Sequence, residues 1–136
     1  MNFDYTYTRL NVANYQACKR FYSDVLGFKI AFEDDADEYT ELSTGKTIIT
    51  IFNRQRLSDF VDRSETVSYD PQYAGVVLSF RVACLDEAVS YLKDKGVTMV
   101  KEPMNYPRQG FISAFFRDPD DNLIELEELN SYPNFG

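Results

Sequence analysis

The chain has 136 residues, of which 14 are lysine or arginine and 22 are aspartate or glutamate, so its formal net charge is −8. It contains no histidine, which excludes Ser-His-Asp and Cys-His catalytic sets and every metal site that depends on imidazole. A composition that is 44% hydrophobic and 15% aromatic can form the core of one globular domain, whereas the acidic balance disfavours nucleic acids and anionic membranes as partners.

The N-terminal sequence lacks the charged and apolar regions of a secretory signal. No apolar run approaches the roughly 18 residues that a membrane-spanning helix needs. We therefore expect a cytoplasmic protein. Cys18 and Cys84 fall at apolar periodic positions, which favours free, buried thiols over a disulfide or a reactive site.

The first half of the chain is typical of one strand, one helix and three further strands. Alternating residues predict a strand over 5–12, and Tyr15, Cys18 and Tyr22 form one helical stripe after Asn14, a candidate N-cap. Three shorter alternating segments predict strands at 28–33, 38–43 and 47–52.

The second half repeats this order. At an offset of 70 residues, the segment that begins at Leu10 aligns with the segment that begins at Phe80. A strand over 76–83 precedes a helix that starts near Leu85, for which Cys84 is a poorer cap than Asn14. The three later strands are predicted at 98–101, 111–117 and 123–127.

The predicted fold class is therefore α+β, with a β-α-β-β-β unit used twice in a single domain. The first repeat covers 1–53 and the second 75–129, while 54–74 forms a linker and 130–136 a tail.

Two segments, FYSDVLGF from Phe21 to Phe28 and FRDPDDNLIE from Phe116 to Glu125, together with the two repeats, resemble the vicinal oxygen chelate superfamily. This group contains glyoxalase I, bleomycin-resistance proteins, fosfomycin-resistance enzymes and extradiol dioxygenases. The family usually has glycine where Asp121 stands.

The resemblance implies a curved, eight-stranded mixed sheet that forms a cup, with helices on the convex face and a ligand cavity on the concave face. It also implies a homodimer. Metal-dependent members would place their ligands at Tyr7, Ile49, Val77 and Glu125 of this sequence. A single carboxylate with a phenol cannot hold a divalent metal, so we expect no metal and no cofactor.

Strand alternation, combined with the resemblance, predicts which side chains face the cup and contact a ligand. These are Tyr5, Tyr7, Arg9, Ile49, Val77, Ser79, Arg81, Phe111 and Glu125.

Each of these side chains also has a purely structural interpretation. Glu125 is the candidate general base or a clamp for a cation, or else belongs to a polar strand face. Arg9 and Arg81 fix an anionic group or pair with Glu125 and Glu127. Tyr5 and Tyr7 orient a ligand or fill the core, and Phe111 forms a cavity wall, a packing surface or a dimer seam.

An acidic cluster between the second and third strands lacks the spacing of a calcium-binding loop. It is typical of a solvated hairpin end that attracts positively charged ligands. The cluster consists of Asp34, Asp35, Asp37, Glu38 and Glu41.

The leading functional hypothesis is a metal-free protein of the bleomycin-resistance kind that binds a small cationic or aromatic molecule. The alternatives are a lyase or isomerase that uses Glu125 as general base on a small carbonyl compound, a metal-dependent glyoxalase or dioxygenase relative, and a domain that binds another protein. Whether the chain is an enzyme stays open at this point.

Overall fold

A computed structural model describes residues 1–56 and 76–130, which belong to two compact units of the chain. Most of the predicted linker and nearly all of the predicted tail lie outside the described residues. No helix within the described ranges is long and apolar enough to cross a membrane.

Within residues 1–56, the first unit contains one helix and four strands. In chain order its elements are β1 (Thr8–Val12), α1 (Tyr15–Arg20), a π-helical turn (Phe21–Val25), β2 (Lys29–Asp34), β3 (Tyr39–Ser43), β4 (Ile48–Asn53) and a 3-10 turn (Arg54–Arg56). The strand order in the sheet is β1-β4-β3-β2, with β1 parallel to β4 and the other pairs antiparallel.

The second unit repeats this arrangement. Its elements are β5 (Val77–Arg81), α2 (Leu85–Asp94), β6 (Met99–Tyr106), β7 (Phe111–Arg117) and β8 (Leu123–Leu129). The strand order is β5-β8-β7-β6, and β5 is parallel to β8. The predicted α+β class and the twofold use of a β-α-β-β-β unit are thus confirmed.

The first helix begins and ends as its sequence predicts. The side chain of Asn14 accepts a hydrogen bond from the amide of Ala17, and Gly27 takes a positive φ of 77° just after the π-helical turn. Tyr15 and Cys18 are buried, as the helical stripe predicted. The helix therefore packs one apolar face against its own sheet.

Strand β1 is shorter than predicted, because it starts at Thr8 and not at residue 5. The first residue pair of β1 and β4 joins Thr8 to Ile49, so the segment before Thr8 has no neighbouring strand in this ladder. Tyr5 and Tyr7 consequently precede the sheet, and both side chains are exposed.

The orientation expected for Ile49 is wrong. Ile49 is 5% exposed and lies on the helix-facing side of the sheet with Leu10 and Leu42, whereas Thr50 pairs with Arg9 on the opposite side. The cause is the length of the last turn in each repeat: residues 44–47 link β3 to β4, but residues 118–122 link β7 to β8. Because one residue reverses a side chain's face, Thr50 is the counterpart of Glu125.

Candidate functional site

The face of the first sheet that is turned away from α1 carries two rows of side chains. Paired positions on neighbouring strands place these side chains next to one another. One row runs across the sheet as Phe32, Glu41, Thr50 and Arg9, and the next as Asp34, Tyr39, Phe52 and Asn11.

Five of these eight side chains line a cavity of about 470 Å³ in the first unit. Its lining residues within the described part of the chain are three aromatic residues, two arginines and two aspartates: Arg9, Phe32, Asp34, Asp37, Tyr39, Phe52 and Arg56. The volume lies within the range of roughly 300 to 1,000 Å³ that small-molecule sites occupy. Of the residues predicted to contact a ligand, only Arg9 lines this cavity.

Arg9 is held among aromatic side chains. Its guanidinium carbon lies 5.2 Å from the ring centre of Phe52, 5.6 Å from that of Tyr7 and 5.8 Å from that of Tyr39. Its Nη2 also donates a hydrogen bond of 2.8 Å to the hydroxyl of Tyr7. These contacts combine cation–π attraction with a directed bond, so they fix the plane of the guanidinium.

Tyr39 links the rings of the cavity. Its ring centre lies 6.0 Å from that of Phe52, nearly edge-on, and 6.2 Å from that of Phe32. The hydroxyl donates a hydrogen bond of 2.6 Å to Oε2 of Glu41. Burial, followed by this bond to a carboxylate, raises the pKa of Tyr39 to about 12, so its phenol stays protonated at neutral pH.

Charged side chains lie at the 34–38 turn beside the rings. Oδ1 of Asp34 accepts a bond of 3.2 Å from the amide of Asp37, and both carboxylates line the cavity. Arg56 pairs with Glu38 at 3.3 Å and donates to the carbonyl of Ala36. Asp34 and Asp37 therefore place two carboxylates at this edge of the cavity, beside the ion pair of Arg56 and Glu38.

The corresponding face of the second unit carries the five predicted residues that belong to that unit. Val77, Ser79 and Arg81 lie on one face of β5, and Glu125 is the direct partner of Ser79. The pairing of β7 and β8 places Phe111 on the same face. The structure thus brings these five residues to one surface, as expected.

Two polar contacts organise this second surface. The hydroxyl of Ser79 donates a bond of 3.0 Å to Oε1 of Glu125. Arg81 makes a forked contact with Oε1 of Glu127, at 3.0 Å from Nε and 2.6 Å from Nη2. Arg81 therefore has the ion-pairing role that was one of its two predicted roles.

The positions that the family resemblance assigns to metal ligands do not fit a metal. Tyr7 and Glu125 offer a phenol and one carboxylate, Val77 offers no donor, and the corrected counterpart of Ile49 is the neutral hydroxyl of Thr50. Divalent metals in such sites take about three or four nitrogen, oxygen or sulfur donors from the protein. Within residues 1–56 and 76–130, acidic and cysteine side chains form no cluster of three or more that could hold a metal.

Comparison with known proteins agrees with the fold. The model of the Glyoxalase/Bleomycin resistance protein/Dioxygenase superfamily matches residues 5–126. The chain belongs to this superfamily. The duplicated unit and the parallel pairing of first and last strands are thus the superfamily's scaffold in this chain.

Individual relatives agree with this assignment. The uncharacterized protein YraH of Bacillus subtilis (strain 168) is 29% identical over 121 residues, which is 89% of this chain and 94% of YraH. YwkD of the same organism, also uncharacterized, is 33% identical over 123 residues, covering 85% of this chain and 89% of YwkD.

A solved structure shows the same fold. A glyoxalase/bleomycin resistance protein/dioxygenase from Nocardioides superposes with a TM-score of 0.79 at 16% identity, covering 100% of this chain and 91% of the other.

Sequence reasoning missed the aromatic lining of the cavity. Phe52 belongs to the run Ile48–Asn53, which is apolar on both faces and so gives no sign of which side chains face the helix. Tyr39 and Phe32 are cross-strand neighbours only through the β2–β3 hairpin, whose pairing includes a register shift between Ile30 and Phe32. The acidic hairpin end was recognised, but its position beside the rings depends on that pairing.

Proposed function

We propose that this chain binds a small aromatic molecule, favouring one with a positive charge, in the cavity of its first unit and without a metal. The main support for this proposal is that one cavity is lined by three aromatic rings and the guanidinium of Arg9. The rings are those of Phe32, Tyr39 and Phe52. Flat rings of this kind supply apolar area and stacking geometry to a planar ligand.

The charges beside the rings support the preference for a cation. Asp34 and Asp37 line the cavity, and the chain carries a formal charge of −8. A cationic ligand is drawn toward such a site over longer distances than a neutral one, and this attraction weakens as salt is added. The side chain of Arg9 is already engaged by Tyr7 and the surrounding rings, and its charge orients a ligand ring by stacking.

The experiment is a fluorescence titration with proflavine, a planar aromatic cation, in a buffer that contains a chelator. Phe32→Ala removes a lining ring that is 51% exposed, so the fold should tolerate the change. We expect the affinity for proflavine to fall by roughly three- to tenfold, which is the value of one aromatic contact.

Tyr91→Ala is the matched control, because Tyr91 is a 44% exposed ring on α2, outside the cavity. It should leave the affinity unchanged. Equal effects of the two substitutions, or no binding of proflavine to the native chain, would contradict the proposal.

The proposal also covers the oligomeric state and the cellular compartment of the protein. The family resemblance supports a homodimer. The free thiols of Cys18, which is buried, and Cys84, which is half-buried, support a reducing compartment such as the cytoplasm.

Proton transfer by Glu125 is the second candidate, and its support is the 3.0 Å hydrogen bond from Ser79 on a face shared with Phe115. That bond orients one carboxylate oxygen and leaves the other to accept a proton from a small carbonyl compound.

A further inference from the structure

The side chains that line the cavity of the first unit carry their charges at different edges of the sheet. Arg9 lies on β1, at one edge, whereas Asp34 ends β2 at the other edge. Asp37 belongs to the turn that follows β2. The rings of Tyr39 and Phe52 come from β3 and β4, which lie between these edges. A ligand in the cavity therefore has a guanidinium on one side, aromatic rings in the middle and carboxylates on the other side.

The two carboxylates keep oxygen atoms that can accept hydrogen bonds. Oδ1 of Asp34 accepts a bond of 3.2 Å from the amide of Asp37. Among the described residues, neither carboxylate makes another hydrogen bond or an ion pair. Asp37 is exposed, Asp34 is half-buried, and both line the cavity. Oδ2 of Asp34 and both oxygens of Asp37 can therefore accept bonds from a ligand.

Arg56 also lines the cavity at this edge, but its guanidinium is engaged by the protein. Nε and Nη2 lie 3.4 and 3.3 Å from Oε1 of Glu38, and Nη2 donates to the carbonyl of Ala36 at 3.3 Å. An anionic ligand group here would compete with Glu38 for Arg56 and would lie beside the carboxylates of Asp34 and Asp37. A cationic group avoids both costs, because it meets carboxylates that have no ion-pair partner among the described residues.

The spacing of rings and carboxylates determines where a ligand best carries its charge. Asp34 pairs with Tyr39, and Tyr39 pairs with Phe52, so the three occupy adjacent strands about 5 Å apart. The guanidinium carbon of Arg9 lies 5.2 Å from the ring centre of Phe52, so repulsion disfavours a positive charge within the ligand ring itself. A positive group on a tether of about two or three bonds spans one strand spacing and reaches the carboxylates instead.

We propose that this cavity takes a protonated arylalkyl amine, with its ring among Phe32, Tyr39 and Phe52 and its ammonium group bonded to Asp34 and Asp37. An ammonium group has three N–H donors, and carboxylates can only accept. These charge-assisted bonds need an N–H, so a quaternary ammonium ion gains none of them. The inference rests on the proposed function and narrows its ligand from aromatic cations in general to primary amines tethered to a ring.

The test uses probes that share one naphthalene ring and one two-carbon tether: 2-(2-naphthyl)ethylamine, 2-(2-naphthyl)ethanol and the trimethylammonium analogue of the amine. Calorimetric titration at pH 7 measures the affinity of the native chain for each. We expect the amine to bind about tenfold more tightly than the alcohol and about threefold more tightly than the quaternary ion. The alcohol controls for ring stacking, and the quaternary ion controls for charge without N–H donors.

Two substitutions test the carboxylates directly. Asp34→Asn and Asp37→Asn should each reduce the preference for the amine over the alcohol to about threefold or less, while the affinity for the alcohol stays unchanged. Both keep the shape of the side chain, and the amide oxygen that Asp34→Asn introduces can still accept the bond from the amide of Asp37.

Asp24→Asn is the matched control, because it removes the same charge from an exposed carboxylate of the first unit that is not a lining residue. It should leave the preference for the amine intact. An equal loss of preference in Asp24→Asn and Asp37→Asn would show that charge acts at long range and would overturn the inference.

The remaining outcomes separate this inference from the proposed function. The amine site is overturned by equal affinity for amine and alcohol, by a quaternary ion that binds as tightly as the amine, or by a preference that survives in both Asp34→Asn and Asp37→Asn. Aromatic binding still stands in each of these cases if the native chain binds proflavine. Failure to bind proflavine and all of the naphthalene probes overturns the proposed function and the inference together.

Discussion

At the scale of single residues, the clearest electrostatic feature lies where α1 meets the β2–β3 hairpin. Lys19 donates to Oδ1 of Asp35 at 2.8 Å and also pairs with Glu33. The hydroxyl of Tyr15 donates to the same Asp35 oxygen at 2.8 Å and bonds to Thr40. The sequence predicted Tyr15 as a buried helix residue but treated Asp35 as part of a solvated hairpin, because a contact 20 residues away leaves no local pattern.

The ionisation of this cluster follows from its contacts. Hydrogen bonds from Lys19 and then from Tyr15 hold the pKa of Asp35 below its usual value of 3.8. The pKa of Lys19 is raised, chiefly by its bonds to Asp35 and Glu33. Burial is the main reason that the pKa of Tyr15 rises to about 12. At neutral pH the cluster therefore holds a charged pair and a neutral phenol.

Replacing the carboxylate by Asp35→Asn should lower the free energy of unfolding at pH 7. A carboxyl group with a depressed pKa in the folded state stabilises the fold above its unfolded pKa, and this contribution disappears as pH falls through the folded pKa. The difference between native and variant chains should therefore be constant from pH 7 to about pH 5 and shrink below about pH 4. Urea titrations across this range measure it.

The control for this prediction is Asp24→Asn, which changes an exposed carboxylate at the π-helical turn. The free energy of unfolding of this variant should differ little from that of the native chain over the whole pH range. A difference for Asp35→Asn that stays constant down to pH 2.5 would show that the carboxylate contributes by packing and not by charge.

At the scale of secondary structure, the helices α1 and α2 begin in different ways. Asn14 caps α1 from within the same turn, as its sequence predicted. Cys84 makes no capping bond to α2, and Oε1 of Glu128 on β8 accepts a bond of 2.7 Å from the amide of Leu85. Sequence reasoning recognised that Cys84 is a poor cap, but the replacement is 43 residues away and required the strand register.

Glu128→Ala should lower the free energy of unfolding by about 1 kcal/mol, because it leaves a helix-terminal amide without its carboxylate and removes a negative charge at the positive end of the helix dipole. Adding Cys84→Ser should restore part of that loss by supplying a local cap. Thermal or urea unfolding of the single and double variants measures both effects. Equal destabilisation in the presence and absence of Cys84→Ser would contradict the capping role of Glu128.

The strand elements also show how far a pattern of alternation can be trusted. Leu10 and Val12 face the helix and Arg9 lies on the opposite face of the strand, as predicted. The predicted orientation of Ile49 was wrong because Ile49 was aligned with Glu125 of the second repeat. The turns before these two strands differ in length by one residue, so the two positions are not equivalent. Alternation fixes relative orientation within a strand, whereas orientation between repeats depends on counting every turn residue.

At the scale of the whole molecule, the duplication was readable from sequence because both copies keep the same order of strand and helix stripe. The superfamily follows from that order, and the match over residues 5–126 establishes it. The ligand does not follow from it. The residues that line the cavity, including Tyr39 and Phe52, come together through cross-strand pairing and not through any contiguous motif.

Metal independence is a prediction for the molecule as a whole. Dialysis against EDTA, followed by addition of zinc, nickel, manganese or iron(II), should change neither the melting temperature nor the affinity for proflavine. A metal that binds the folded state would raise the melting temperature by linkage, since it favours the folded chain over the unfolded one. Such a rise, abolished by Glu125→Gln, would show that the carboxylate ligates an ion and would refute the prediction.

The parallel pairing of the first and last strand within each unit bears on how the chain is made. Leu10 has its partner in Ile51 and Leu78 has its partner in Ile124, so each opening strand is separated from its neighbour by about forty or more positions of chain. During translation, neither β1 nor β5 can complete its ladder until the final strand of its own repeat has left the ribosome. Each repeat is therefore synthesised with one unpaired sheet edge, and the chain passes twice through a stage at which nascent-chain chaperones have an exposed strand to protect.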